Sequence, residues 1–137
     1  MNLDFVRATY WIGAIVDALA AVQLLMPQGS RLFGFVGMRA AGAAGQPAII
    51  AATLMLGWSV VLVWAHLRTR DRRAILAITL LVVLALAAGN IALGATGGIA
   101  WQSLLPTLAI QAILTALFGL SIPIARHAAL AREAGLG

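Results

Sequence analysis

The chain contains no cysteine and no lysine, and only 9% of its 137 residues are charged. The lack of cysteine excludes disulfides, iron–sulfur clusters and thiolate zinc sites. Soluble domains have charged side chains at about a quarter of their positions, so the low charge excludes an ordinary soluble globular domain. Intrinsic disorder is excluded as well, because it needs low hydrophobicity and high net charge.

What the sequence has in excess is apolar side chains, which make up 63% of the residues. A bilayer core about 30 Å thick is crossed by roughly 20 apolar residues in a helix. Four stretches are long enough to do so, at about residues 8–26, 47–67, 74–96 and 104–125. The sequence therefore predicts an all-α membrane protein, a single domain of four transmembrane helices in an antiparallel up-down bundle.

The nine arginines outnumber the four acids and give a net charge of +5. They flank the apolar stretches and do not cover a soluble face, which indicates a lipid bilayer as partner and no nucleic acid. Seven arginines fall on one side of the predicted bundle, namely Arg7, Arg68, Arg70, Arg72, Arg73, Arg126 and Arg132. Arg31 and Arg39 fall on the other side. Because basic residues are in excess on the cytoplasmic side, we expect an N-in/C-in, multi-pass protein of a bacterial-type inner membrane.

The first loop, about residues 27–46, is long for so small a protein, and residues 32–38 in it are apolar and interrupted by glycine. One interpretation is an interfacial segment that rests on the outer leaflet. The other is a lid over an outward-facing cavity, because irregular backbone at depth is tolerated only against protein or water. We favour the interfacial segment.

Asp17 is the only ionisable residue well inside a predicted span. The rise of a helix places it about 13 Å deep, where a charged carboxylate costs about 2.5–3.5 kcal/mol on insertion scales. We therefore expect its side chain to face protein or water. On a helix it shares one stripe with Tyr10, Gly13, Ala14 and Ala21, and most of these residues are small enough to let a neighbouring helix approach closely.

Other polar residues are expected near the depth of Asp17. Counting by helical rise places Ser59 and Thr115 level with it, and Asn90 and Gln111 about two turns further out. One interpretation is a site that binds a proton or a cation, with Asp17 as the titrating group. The other is a structural latch, in which these side chains hold the helices together through hydrogen bonds. Both stay open at this point.

The two histidines suggest a different chemistry. His66 and His127 end the second and fourth predicted helices, so two imidazoles at matched depth could ligate a haem iron axially. Each lies close to arginines, which favours a simpler role as a polar flank among lipid headgroups. We predict no cofactor, and we keep the haem-binding anchor as the least favoured alternative.

Recognisable catalytic motifs are missing from the sequence: there is no hydrolase triad, phosphate-binding glycine loop, carboxylate pair or zinc motif. We therefore predict a protein that is not an enzyme and that binds or transports a small or lipophilic ligand, or a proton, at Asp17. The position of Asp17 is similar to that of the single acid in the first helix of four-helix bacterial multidrug exporters, which are shorter and use glutamate.

An alternative to ligand binding is a structural or accessory subunit of a larger membrane complex. A four-helix bundle with little mass outside the bilayer has few surfaces for independent action. We therefore expect association with a second copy or with other membrane proteins. Small residues on several predicted helices (Gly13, Ala21, Gly57, Gly94 and Gly119) suit close helix packing, within one protomer or between protomers.

Overall fold

The computed structural model describes residues 3–32, 35–69 and 73–134. Its long elements are four helices, α1 (Leu3–Leu25), α2 (Gln46–His66), α3 (Arg73–Ala95) and α4 (Trp101–Glu133). All four are long and apolar enough to cross a membrane, with mean hydropathy between 1.5 and 2.5. A multi-pass membrane protein is therefore supported. The up-down order and the N-in/C-in orientation stay predictions, and Phe33, Gly34, Arg70 and Arg72 lie outside the described residues.

Two helices are longer than the predicted spans. The first, α1, begins at Leu3 and not near residue 8, and α4 runs from Trp101 to Glu133, beyond the predicted 104–125. Hydropathy detects only the part of a helix that suits hydrocarbon, whereas helical structure continues wherever propensity allows. The segment after Pro123 is rich in alanine, the best helix former, so α4 continues past the proline.

The chain divides into two compact units, one formed by Met1–Thr9 with Arg68–Gly137 and the other by Tyr10–Leu67. In the first unit, α3 and α4 pack against each other as a hairpin. Gly94 makes their close approach possible, because a Cβ atom there would lie 2.9 Å from the Trp101 ring and 3.0 Å from Leu104.

A buried pair of hydroxyl groups joins the start of α1 to α4 within this first unit. Ser121 Oγ donates a hydrogen bond of 2.9 Å to Thr9 Oγ1, and Thr9 Oγ1 donates one of 3.0 Å to the Phe5 carbonyl oxygen. Both side chains are fully buried. Apolar side chains around the same unit complete its core, namely Val6, Leu76, Val83, Leu104, Leu114, Phe118 and Ala125.

The second unit contains most of α1, all of α2 and the segment between them. That segment holds an antiparallel pair of two-residue strands, β1 (Arg31–Leu32) and β2 (Phe35–Val36), and a 3₁₀ helix, Gly42–Gly45, directly before α2. The sequence did not predict this hairpin, since two residues are too few to show the alternation typical of a strand. Both interpretations of the loop, interfacial segment and lid, stay predictions.

Candidate functional site

The candidate site is built on the buried face of α1. Tyr10, Gly13, Ala14 and Ala21 are all buried, and they share one stripe of the helix with Asp17. Glycine and alanine on that stripe leave space beside the carboxyl group, whereas Tyr10 is large and completely buried. The sequence therefore located the inward face of α1, and Asp17 lies on it.

The Asp17 side chain is half-buried, although its neighbours on the stripe are buried. Among the residues that the structure describes, none makes a hydrogen bond or an ion pair with its carboxyl group. A carboxyl group on the inward face of a membrane helix is costly unless it is paired, hydrogen-bonded or wet. The Asp17 carboxyl group thus has no partner among the described side chains.

An open groove runs beside Asp17 in the second unit. Its volume is about 300 Å³ and its accessible lining is entirely apolar. The groove is lined by side chains of α1 and α2, namely Trp11, Ala14, Ile15, Ala18, Ser59, Val60 and Val63. Ile15 is 51% exposed and Val60 is 68% exposed. The groove is therefore open to lipid tails or to a lipophilic ligand.

Asp17 is not part of the groove lining, although Ala14 and Ala18 on either side of it in the sequence are. At 100° per residue, its side chain lies about 60° around α1 from Ala14, one of the lining residues. Ala18, the next residue along the chain, also lines the groove. Asp17 is therefore a near neighbour of the groove on α1, and its side chain is turned to one side of the groove face.

Ser59 is the predicted site residue that the structure places in the groove itself. Its side chain is 8% exposed, and its hydroxyl donates a hydrogen bond of 3.0 Å to the Met55 carbonyl oxygen of the preceding turn. Such a bond is usual for serine in a membrane helix and satisfies the donor. Ser59 thus contributes to the groove through its apolar atoms, in agreement with the apolar accessible lining.

Asn90 and Gln111 are brought together in the first unit. Asn90 Nδ2 donates a hydrogen bond of 3.3 Å to Gln111 Oε1, which links α3 to α4, and Gln111 is buried. Thr115 is half-buried one turn further along α4. These three residues belong to a different unit from Tyr10, Asp17 and Ser59. The site and latch interpretations of the six residues stay predictions.

The two histidines have different surroundings. The ring of His66 is half-buried and meets Trp11 edge-on, with ring centroids 5.6 Å apart and an interplanar angle of 63°. His127 is exposed on α4 and belongs to the other unit. The contact with Trp11 gives His66 a packing role at the end of α2. Axial haem ligation by His66 and His127 stays a prediction.

Sequence reasoning missed the contribution of Trp11, Val60 and Val63 to the groove. Trp11 fits the pattern of an interfacial aromatic residue, and the two valines look like ordinary lipid-facing positions. A signal was available on α1, because Trp11, Ala14 and Ala18 recur at the spacing of one helical face. No comparable polar or aromatic signal marks the valines of α2.

Comparisons with protein-family models, with curated proteins and with solved structures find no match to this chain. Function is therefore inferred from the chemistry of its own residues.

Proposed function

We propose that this protein is a small multi-pass membrane protein that binds a lipophilic cation or a proton at Asp17. The observation that carries the proposal is the half-buried Asp17 carboxyl group, which has no partner among the described side chains and lies on α1 one turn from Ala14, a residue that lines a lipid-open groove. The apolar groove would take the body of the ligand, and the carboxylate would balance its charge. A proton and a cation would compete for the same oxygen atoms.

Transport is an extension of the same proposal. A carboxyl group that exchanges a proton for a cation can couple the movements of the two across a membrane. Nothing in this role requires covalent chemistry, which agrees with a sequence without catalytic motifs.

Binding of tetraphenylphosphonium, a lipophilic cation, to the purified full-length protein in detergent tests the proposal. We expect Asp17→Asn to weaken binding at least about 10-fold, which corresponds to about 1.4 kcal/mol. Asp17→Glu should retain part of the affinity because it keeps the charge. Asp4→Asn is the matched control, since Asp4 is an exposed acid of the same helix, 3.4 Å from Arg7 Nη1, and it should bind as the wild type does.

The groove is tested separately with two tryptophan substitutions on α2. Val60 lines the groove and Leu54 does not, yet both are 68% exposed. Val60→Trp should fill the groove and weaken binding of the cation, whereas Leu54→Trp should leave binding unchanged. Binding by wild type and Asp17→Asn with equal affinity would refute the assignment of Asp17. If Val60→Trp and Leu54→Trp changed the affinity for the cation equally, the groove would not be its binding site.

The second candidate function is an accessory subunit of a membrane complex. Only 17% of the most apolar window of α2, and the same share in α3, is buried within the chain. These helices therefore leave wide apolar faces for lipid or for other helices. Chemical cross-linking in native membranes, followed by identification of the attached proteins, tests this role. A defined partner would support it, and cross-linking to no other polypeptide would refute it.

A further inference from the structure

A second cavity lies in the segment that joins α1 to α2, apart from Asp17 and its groove. Its volume is about 500 Å³, within the range of about 300–1,000 Å³ found for small-molecule sites. Residues of the segment and the first turn of α2 line it, namely Pro27, Gln28, Arg39, Ala40, Ala41, Gly42, Gly45 and Ile49. Among the described residues of this lining, Arg39 is the one that carries a charge.

Hydrogen bonds hold the backbone of Arg39 in place through both its N–H and its carbonyl group. Its N–H donates a hydrogen bond of 3.0 Å to the Met26 carbonyl oxygen, and its own carbonyl oxygen accepts one of 2.8 Å from the Gln28 N–H. Met38 N–H donates a further bond of 3.1 Å to the Gln23 carbonyl oxygen at the end of α1. The guanidinium group thus projects from a fixed piece of main chain, which reduces the entropy lost on binding a ligand.

Two glycines in this segment allow the backbone around the cavity to pack closely. A Cβ atom at Gly37 would overlap the Pro27 carbonyl oxygen, and one at Gly45 would overlap the Ala40 carbonyl oxygen. The same Gly45 Cβ would lie 3.2 Å from Cγ of Arg39, so the arginine stem packs directly against this glycine. The cavity is therefore formed by specific close approaches of the backbone.

The charge of Arg39 is not balanced within its surroundings. Its side chain is half-buried, and no acidic side chain in the described ranges pairs with it. The sequence has no Asp or Glu between residues 18 and 70, so the whole segment carries positive charge only. A half-buried guanidinium group in a cavity without an acid favours an anionic ligand.

We propose that this cavity binds a phosphate group, with Arg39 as its principal ligand and Gln28 as a neutral donor. Arginine presents paired N–H groups that match phosphate oxygens. The cavity lies at the ends of two membrane-spanning helices, the depth at which lipid phosphates are found. Ile49 at its edge and Leu56, two turns further along the same face of α2, are 40% and 41% exposed and would contact an acyl chain below the phosphate.

The absence of native cysteine makes occupancy of the cavity measurable. Ala40→Cys places a single thiol in the cavity wall and keeps both proposed ligands, and its rate of modification by a maleimide reports access to the cavity. We expect phosphatidylglycerol, added to the detergent-solubilised full-length protein, to slow this modification at least about fivefold. Diacylglycerol with the same acyl chains should not slow it, because it lacks the phosphate that Arg39 would bind.

The same measurement with Arg39→Gln should show no protection by phosphatidylglycerol, and Arg39→Lys should show partial protection. Arg68→Gln is the matched control, since it removes one exposed positive charge at the other end of α2 and should leave protection intact. A second probe of the cavity is Ala41→Trp, which keeps Arg39 but fills the space. It should slow modification of the thiol without lipid and remove any further effect of lipid.

Inorganic phosphate in the same assay distinguishes the two sources of the anion. Protection by millimolar phosphate alone would assign the site to a free phosphate, whereas protection by the lipid alone would assign it to a headgroup. Protection of Ala40→Cys by phosphatidylglycerol that persists in Arg39→Gln, in a protein of unchanged helical circular dichroism, would overturn the proposal. Equal protection by diacylglycerol would overturn it as well.

Discussion

Asp17 on the inward face of a membrane helix costs free energy, because a carboxyl group there is removed from water. Its stripe is otherwise built from alanine, glycine and a buried tyrosine, which together would pack well without an acid. A latch would require hydrogen bonds from the carboxyl group, and the described side chains provide none. The arrangement is typical of a residue kept for function at a cost in stability.

That difference between a site and a latch can be measured as a change in the free energy of unfolding. Because Asp17 is costly and unpaired, Asp17→Ala should stabilise the protein by about 1–3 kcal/mol. The measurement is unfolding of the purified protein by titration from mild detergent into sodium dodecyl sulfate. Asp4→Ala, at an exposed position, should change the stability by less than about 0.5 kcal/mol. A loss of stability in Asp17→Ala would identify the residue as a latch.

The Thr9–Ser121 pair is the clearest structural use of polar side chains. Both hydroxyl groups are fully buried and lie 2.9 Å apart. Ser121→Ala should destabilise the protein by about 0.6 kcal/mol, and at most about 1.7 kcal/mol, the range measured for hydrogen bonds between membrane helices. The same detergent titration measures it. Thr96→Ala is the control, because the Thr96 hydroxyl is exposed and bonds only within its own helix and turn; equal losses in the two variants would contradict this assignment.

At the residue scale, the sequence could single out Asp17 because a lone acid in an apolar run is conspicuous. It could also place Asn90 and Gln111 in one layer by counting helical rise, and the two are hydrogen-bonded. Nothing in the sequence singled out Thr9 and Ser121. Both lie near the ends of predicted spans, where a hydroxyl side chain is not conspicuous. Pairings of this kind depend on how helices rotate against each other, which a single sequence does not determine.

At the scale of elements, close packing of α3 against α4 depends on one glycine. A Cβ atom at Gly94 would lie about 3 Å from Trp101 and Leu104, whereas one at Gly89 on the same helix would meet nothing within 4 Å. Gly57 and Gly119 also have open space where a Cβ atom would be. Of the glycines that suit close packing, these two therefore make no close approach to any part of the chain that the structure describes.

Alanine substitutions on α3 test this directly. Gly94→Ala should destabilise the protein by about 1–3 kcal/mol, because an added methyl group must displace a ring or a leucine side chain. Gly89→Ala should be neutral or stabilising by up to about 1 kcal/mol, because it removes the entropic cost of glycine in a helix. Thermal unfolding followed by circular dichroism compares the two. Similar melting temperatures for both variants would show that the α3–α4 contact does not limit stability.

The existence of all four helices was predictable, and their ends were not. Long apolar runs indicate helices, because a segment that crosses a bilayer must satisfy its backbone hydrogen bonds internally, as a helix does. The extension of α1 to Leu3 and of α4 to Glu133 lies in segments where charged residues interrupt the apolar run but helical structure continues, in α4 through a stretch rich in alanine. The β1–β2 hairpin and the cavity beside Arg39 depend on a few backbone hydrogen bonds and two glycines, for which a sequence pattern gives little warning.

At the scale of the whole molecule, the apolar surface is the dominant property. Large hydrophobic side chains on all four helices are exposed, including Ile50, Leu54, Val60, Leu81 and Leu105, each at 60% or more. A soluble protein rarely exposes a contiguous apolar surface of this kind. The chain accordingly fits a lipid environment.

Labelling of single cysteines tests this account most directly, since the chain has no native cysteine to interfere. Ala43→Cys and Gln102→Cys, at exposed positions next to the starts of α2 and α4, should react with a membrane-impermeant maleimide in intact bacterial cells whose outer membrane has been permeabilised. Leu67→Cys and Ala134→Cys, exposed at their other ends, should react only after lysis. Equal labelling of positions 43 and 67 in intact cells would contradict a membrane-spanning α2, and with it the membrane setting proposed for Asp17.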